Sequence, residues 1–306
     1  MTKWRLKEDI ADFFSSDEAP LESVLNMLPL LSHPSGHPAW LETEDTLMSP
    51  VEFYLQRFNL TKSIMERVST IMDDAASVTS YSRNAEADGR WQSRAVVKVL
   101  CSVDHPSCVN ASLDHWHRGG SDWKAGLRHF RTGLGEKSFL SETEVAGMAL
   151  RHGSPEDKER VAALLRQESS PSLALDVAGY STNESLVDEI VRLHYNALST
   201  EEYDHMVTGN LRKAVLRVTL SFTAEELQRL PLEVMESGPC SFSKLIDNEE
   251  ELKRYTAKLR GFHCPWTKVS QEMRETKETL AKLRRDAAGV HRWVQGQLPP
   301  AAETYV

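Results

Sequence analysis

The sequence predicts an all-α protein: an irregular multi-helix bundle of ten or more helices with a long amphipathic helix near its C-terminal end. Three observations predict it. Helix-start signals recur through the middle of the chain, apolar residues follow them three and four positions apart, and period-two alternation bounded by turns is nearly absent. At 306 residues, 40% hydrophobic and 26% charged, the chain can bury a sizeable core and has a globular rather than disordered composition.

Residues 1–89 read as an acidic helical region, with seven Lys/Arg against fifteen Asp/Glu. The first segment, MTKWRLKEDIADFF, disperses charges among its apolar positions, so no secretory signal is expected. No run of about eighteen apolar residues occurs anywhere, so no membrane span is expected. Asp73 and Asp74 are adjacent; on a helix they point about 100° apart, which suits a solvated face or a helix end better than a metal pair. The small polar stretch 77–90, SVTSYSRNAEADGR, reads as a flexible connection.

Residues 90–240 form the expected helical core. Ser141 is followed by Glu144, Ser154 by Pro155 and two acids, Ser199 by Glu202 and Thr223 by Glu226, and Asn183 opens a further helix. Such residues satisfy the orphan N–H groups of a first turn and complement the positive end of the helix dipole. Behind these starts lie Val161, Leu164 and Leu165, then Leu186, Ile190, Leu193 and Tyr195, then Leu211, Val215 and Val218. The run AVLRVTLSF (214–222) has β-branched character but follows a helical stripe without a breaker, so it reads as helix. The capped starts fall at no fixed period, which argues against a solenoid.

Beyond ESGPCS (236–241) the charge reverses: residues 251–292 carry eleven Lys/Arg against five Asp/Glu. Residues 241–298 read as a basic helical hairpin whose second arm carries Trp266, Val269, Met273, Thr276, Leu280, Leu283, Ala287, Val290 and Val294 three and four apart. Thr276 and Ala287 would make a poor zipper, so the seam is expected to lie on the protein's own core rather than on a second copy. The basic arm, with Lys253, Arg254, Lys258, Arg260, Lys282, Arg284 and Arg285, is expected to carry any acidic partner, including the acidic third of another copy, the protein being a monomer or weak homodimer.

Several chemistries are missing from the sequence. RTGLGEKSF (131–139) departs from a phosphate-binding loop because Glu136 separates Gly135 from Lys137 and no apolar strand precedes it. No Gly-x-Ser-x-Gly, His-Glu-x-x-His or strand-borne Gly-x-Gly-x-x-Gly occurs, so no local catalytic motif and no cofactor is expected. Four cysteines in so long a chain are too few for a disulfide framework. The expectation is therefore an intracellular protein of the cytoplasm or nucleus with reduced thiols, in which the sequons at Asn59, Asn110 and Asn183 carry no weight.

The densest chemistry lies in CSVDHPSCVNASLDHWHRGGSDWKAGLRHFR (101–131). Cys101, His105, Cys108 and His115 are zinc-ligand types, but the second pair, His115 with His117, diverges by about 200° on a helix, so metal is not favoured. Trp116, Arg118, Trp123, Lys124, Arg128 and Arg131 offer stacking faces beside cations, as single-stranded nucleic acid requires. Against this, Trp123, Leu127 and Phe130 make one apolar helical stripe and the net charge is −9, so the segment reads as a core helix with a basic rim.

The chain is expected to end in a flexible tail, residues 299–306, because Pro299 and Pro300 stop the last helix. Glu303, Thr304, Tyr305 and Val306 resemble the C-terminal ligands of PDZ domains: the terminal carboxylate meets backbone amides, valine fills an apolar pocket and the threonine hydroxyl bonds the domain. Taken together, the sequence points to a non-enzymatic protein-interaction or scaffold protein. The alternative is a nucleic-acid-binding protein, including a viral structural or accessory protein, using 116–131 and the basic arm.

Overall fold

In the computed structural model, residues 61–81, 94–119, 140–197, 209–223, 248–259 and 266–296 are described, together with a few isolated positions. These residues are all-α: eleven helices, no strand, and 82% in helix. They belong to two compact units, one holding the described residues of 61–115, 140–141 and 283–296, the other those of 116–119 and 142–282.

In the first unit, α1 (Thr61–Ile71) and α2 (Asp73–Val78) are separated by a single turn residue, Met72. Ile64, Val68, Met72 and Ala75 are buried, following the three-and-four spacing of one helix face. The stretch 77–90 is thus not a linker from its start, because α2 runs to Val78 and Thr79 and Ser80 are buried. Thr79 anchors itself by donating to the Ala75 carbonyl at 2.6 Å. α3 (Arg94–Ser102) buries Val96, Val97, Val99, Leu100 and Cys101, and α4 (Pro106–Arg118) follows after a tight turn.

Two helices of the second unit are buried over half or more of their length. α5 (Glu142–His152) buries every residue from Glu144 to Leu150. Its Gly147 leaves room for the Tyr180 ring, whose nearest atom would lie 2.5 Å from an added Cβ. α7 (Pro171–Ala178) buries Ala174, Leu175, Val177 and Ala178. It packs against α5, α6 (Pro155–Gln167), α8 (Glu184–His194) and α9 (Gly209–Ser221). A helix with so many buried positions needs neighbours on more than one side.

Three of the sequence-level start signals have direct counterparts. Ser154 and Asp157 form a reciprocal capping box at α6, with Pro155 at the first helical position. Asn183 caps α8 by accepting from the N–H groups of Ser185 and Leu186. Thr223 and Glu226 exchange bonds of 2.7 and 3.2 Å. Ser199 lies outside the described residues. Val215 to Ser221 are helical despite their β-branched run. Leu193 departs from expectation: it is 57% exposed, while Tyr195 is buried. The buried face of α8 is Leu186, Val187, Ile190 and Val191, which puts Leu193 at its edge, while Tyr195, in the 3₁₀ turn Tyr195–Ala197, lies 2.8 Å from Thr219 through its hydroxyl.

The chain closes with α10 (Glu249–Leu259) and α11 (Trp266–Val294). Residues of α11 up to Lys282 count with the second unit, those from Leu283 with the first. Gly296 ends α11 with a left-handed φ of 71°. No helix among the described residues is long and apolar enough to cross a membrane.

Candidate functional site

The cysteine–histidine segment is built as a staple. α3 ends in a Schellman turn: Asp104 takes a φ of 54°, the His105 N–H bonds the Leu100 carbonyl at 2.8 Å, and the Asp104 N–H bonds that of Cys101 at 3.2 Å. Aspartate is one of the few residues that tolerate the left-handed region. His105 then heads α4. Its Nδ1 accepts from the Ser107 backbone N–H at 3.2 Å and lies 2.8 Å from Ser107 Oγ, while Nε2 lies 3.0 Å from Asp73 Oδ1. A backbone donor on Nδ1 leaves Nε2 as the donor toward Asp73. Tyr81 Oη completes the row, 2.7 Å from Ser107 Oγ.

Cys101 and Cys108 are joined by a disulfide with their Cα atoms 5.3 Å apart, and Cys240 and Cys264 by another at 5.7 Å. This corrects the expectation of reduced thiols, since no cysteine is free. The separation of 7 residues between Cys101 and Cys108 suits a short covalent loop across the turn between two helices. The oxidised pair offers no thiolate, His105 has both ring nitrogens engaged, and among the described residues no three His, Cys, Asp or Glu side chains are placed to hold a metal ion.

An acid, an imidazole and a hydroxyl in a row are also the parts of a nucleophilic site. Here the ring nitrogen facing the hydroxyl already accepts the Ser107 backbone N–H, one of the orphan donors of the α4 start. The row is therefore a helix cap tied to α2.

Trp116 does not present a stacking face. It is 1% exposed, its indole N–H donates to Asp157 Oδ1 at 2.7 Å, and the Arg160 guanidinium lies over its ring at 5.4 Å. Burial opposes ionisation of Asp157, but hydrogen bonds from Ser154, Trp116 and His117 outweigh it and hold the carboxyl down at about 2 from an ordinary 3.8. One carboxylate thus caps α6 and anchors the last turn of α4. Arg118 is exposed, whereas Trp123, Lys124, Arg128 and Arg131 lie outside the described residues.

On α11 the structure separates an inner from an outer face. Val269, Thr276, Leu280, Leu283, Val290 and Trp293 are buried, so the apolar seam is taken up within the protein. Arg67 closes one end, its guanidinium 4.8 Å above the Trp293 ring. The outer face carries both signs, with Glu275 and Glu278 exposed on one side of it and cations gathered on the other. At about 100° per residue, Arg274, Lys277, Arg284 and Arg285 share a sector about 100° wide with Ala281 and Ala288. All six are exposed, while Glu272, Glu275, Glu278 and Asp286 fall outside that sector.

The basic residues singled out by composition are thereby sorted. Arg284 and Arg285 lie on the stripe. Lys282 is half-buried on another side of the helix. On α10, Arg254 pairs with Glu250 at 3.4 Å and Lys258 donates to the Phe222 carbonyl, leaving Lys253 exposed. Arg260 and the tail Glu303, Thr304, Tyr305 and Val306 lie outside the described residues. Arg274 and Lys277 were missed as site residues because charge was summed along the chain; sorting it by angle around the helix would have found them. The contacts of Asp73 with His105 and of Asp157 with Trp116 had no local signal, since those partners lie 32 and 41 residues apart.

Comparison with family models, with curated proteins and with solved structures finds no match for this chain.

Proposed function

We propose that the chain is a non-enzymatic protein-interaction or scaffold protein that engages an acidic partner through the outer stripe of α11. The observation that supports this is the stripe itself: four cations on one exposed sector without a carboxylate, on a helix whose apolar side is already buried. A surface of one sign steers an oppositely charged partner and fixes its register more than it adds raw affinity. Capture from nuclease-treated lysate tests the reading, comparing the full chain with its Arg274→Glu, Lys277→Glu, Arg285→Glu variant. A protein partner retained by the first and lost by the second is expected. Partners that vanish with nuclease would favour the nucleic-acid reading, and equal retention by both proteins would remove the stripe from the function. The burial of Trp116 weighs against the nucleic-acid reading, because stacking on bases needs an open ring face.

A further inference from the structure

We infer that the partner of the α11 stripe is the acidic N-terminal segment of a second copy of this chain. This rests on the reading of the stripe as the interaction face. The chain carries two single-sign features of opposite sign. Residues 8–56 hold ten Asp/Glu and no Lys or Arg, densest at Glu42, Glu44 and Asp45. The stripe holds Arg274, Lys277, Arg284 and Arg285 along about 16 Å of helix.

A net charge of −9 repels any acidic partner at long range, including another copy. A second copy offsets that repulsion twice, because each chain contributes one acidic segment and one basic stripe. The two pairs form together about a twofold axis, which closes the assembly at a dimer. Ala281, with its short side chain, leaves the helix surface open between Lys277 and Arg284. Contacts between exposed charges are screened by salt, so the association is salt-sensitive.

Sedimentation velocity on the nuclease-treated full chain at micromolar concentration tests this. Between about 0.05 M and about 0.5 M salt, the apparent dimer dissociation constant should weaken about tenfold or more. Two variants, Arg274→Glu with Lys277→Glu and Arg285→Glu, and Glu42→Lys with Glu44→Lys and Asp45→Lys, should each sediment as monomers at low salt. Mixed together they should pair again, since one keeps its acidic segment and the other its basic stripe. Far-UV circular dichroism confirms that both are folded. A wild type that is monomeric at both salts overturns the inference, as does association that survives stripe reversal, association that nuclease abolishes, or variants that stay apart when mixed. If the wild type is monomeric but stripe reversal still removes a nuclease-resistant partner from lysate, self-association fails and the interaction reading stands.

Discussion

At Asp157 a single carboxylate accepts from the Ser154 backbone and hydroxyl at 3.0 and 2.7 Å and from the Trp116 indole at 2.7 Å. Removing it opens the α6 cap and strands a buried N–H. Asp157→Ala is therefore expected to cost about 2–4 kcal/mol, the sum of a lost cap and a lost bond to a charged acceptor. Urea unfolding reads this out; a loss under about 1 kcal/mol would show that the network is not shared. The pH dependence has a definite sign. A carboxyl held at about 2 in the fold against 3.8 unfolded adds stability that is complete above the unfolded value. That stability is lost as pH falls from about 4 toward about 2, and Asp157→Asn should flatten this part of the acid limb.

At the scale of the helix, local chemistry carried far. Ser154, Asn183 and Thr223 cap helices because their partners sit two or three residues away, within reach of any sequence reading. The α11 seam was legible for the same reason, being one face of one helix. The failures share the opposite property. Leu193 lies at the edge of the α8 face that Leu186, Val187, Ile190 and Val191 bury, and Glu144, read as the capping partner of Ser141, is buried on a helix packed against α6 and α7. At Gly147 nothing in the sequence announces the Tyr180 ring. Gly147→Ala should cost about 1–3 kcal/mol by overpacking despite the better helix propensity of alanine. A thermal midpoint equal to or above wild type would mean that Tyr180 swings aside freely.

Over the whole molecule, the fold class was legible and the covalent framework was not, because cysteine counting says nothing about which pairs meet in space. Both disulfides close short loops, with separations of 7 and 24 residues. On the chain-entropy model these contribute about 2.5 and about 3.5 kcal/mol through the unfolded state. Reductant should thus lower the urea midpoint, and Cys240→Ser with Cys264→Ser should cost more than Cys101→Ser with Cys108→Ser. Four thiols titrating in the native protein without reductant would contradict the pairing.

The whole functional reading depends on α11 facing inward with its seam and outward with its stripe, and urea unfolding of two variants side by side tests that most directly. Leu280→Asp with Leu283→Asp places two charges at buried positions and should cost more than about 4 kcal/mol or prevent folding. Arg274→Glu with Lys277→Glu and Arg285→Glu changes exposed residues only and should stay within about 1 kcal/mol of wild type. A seam variant that unfolds at the wild-type urea concentration would mean that the seam, rather than the stripe, is the face the protein offers to others.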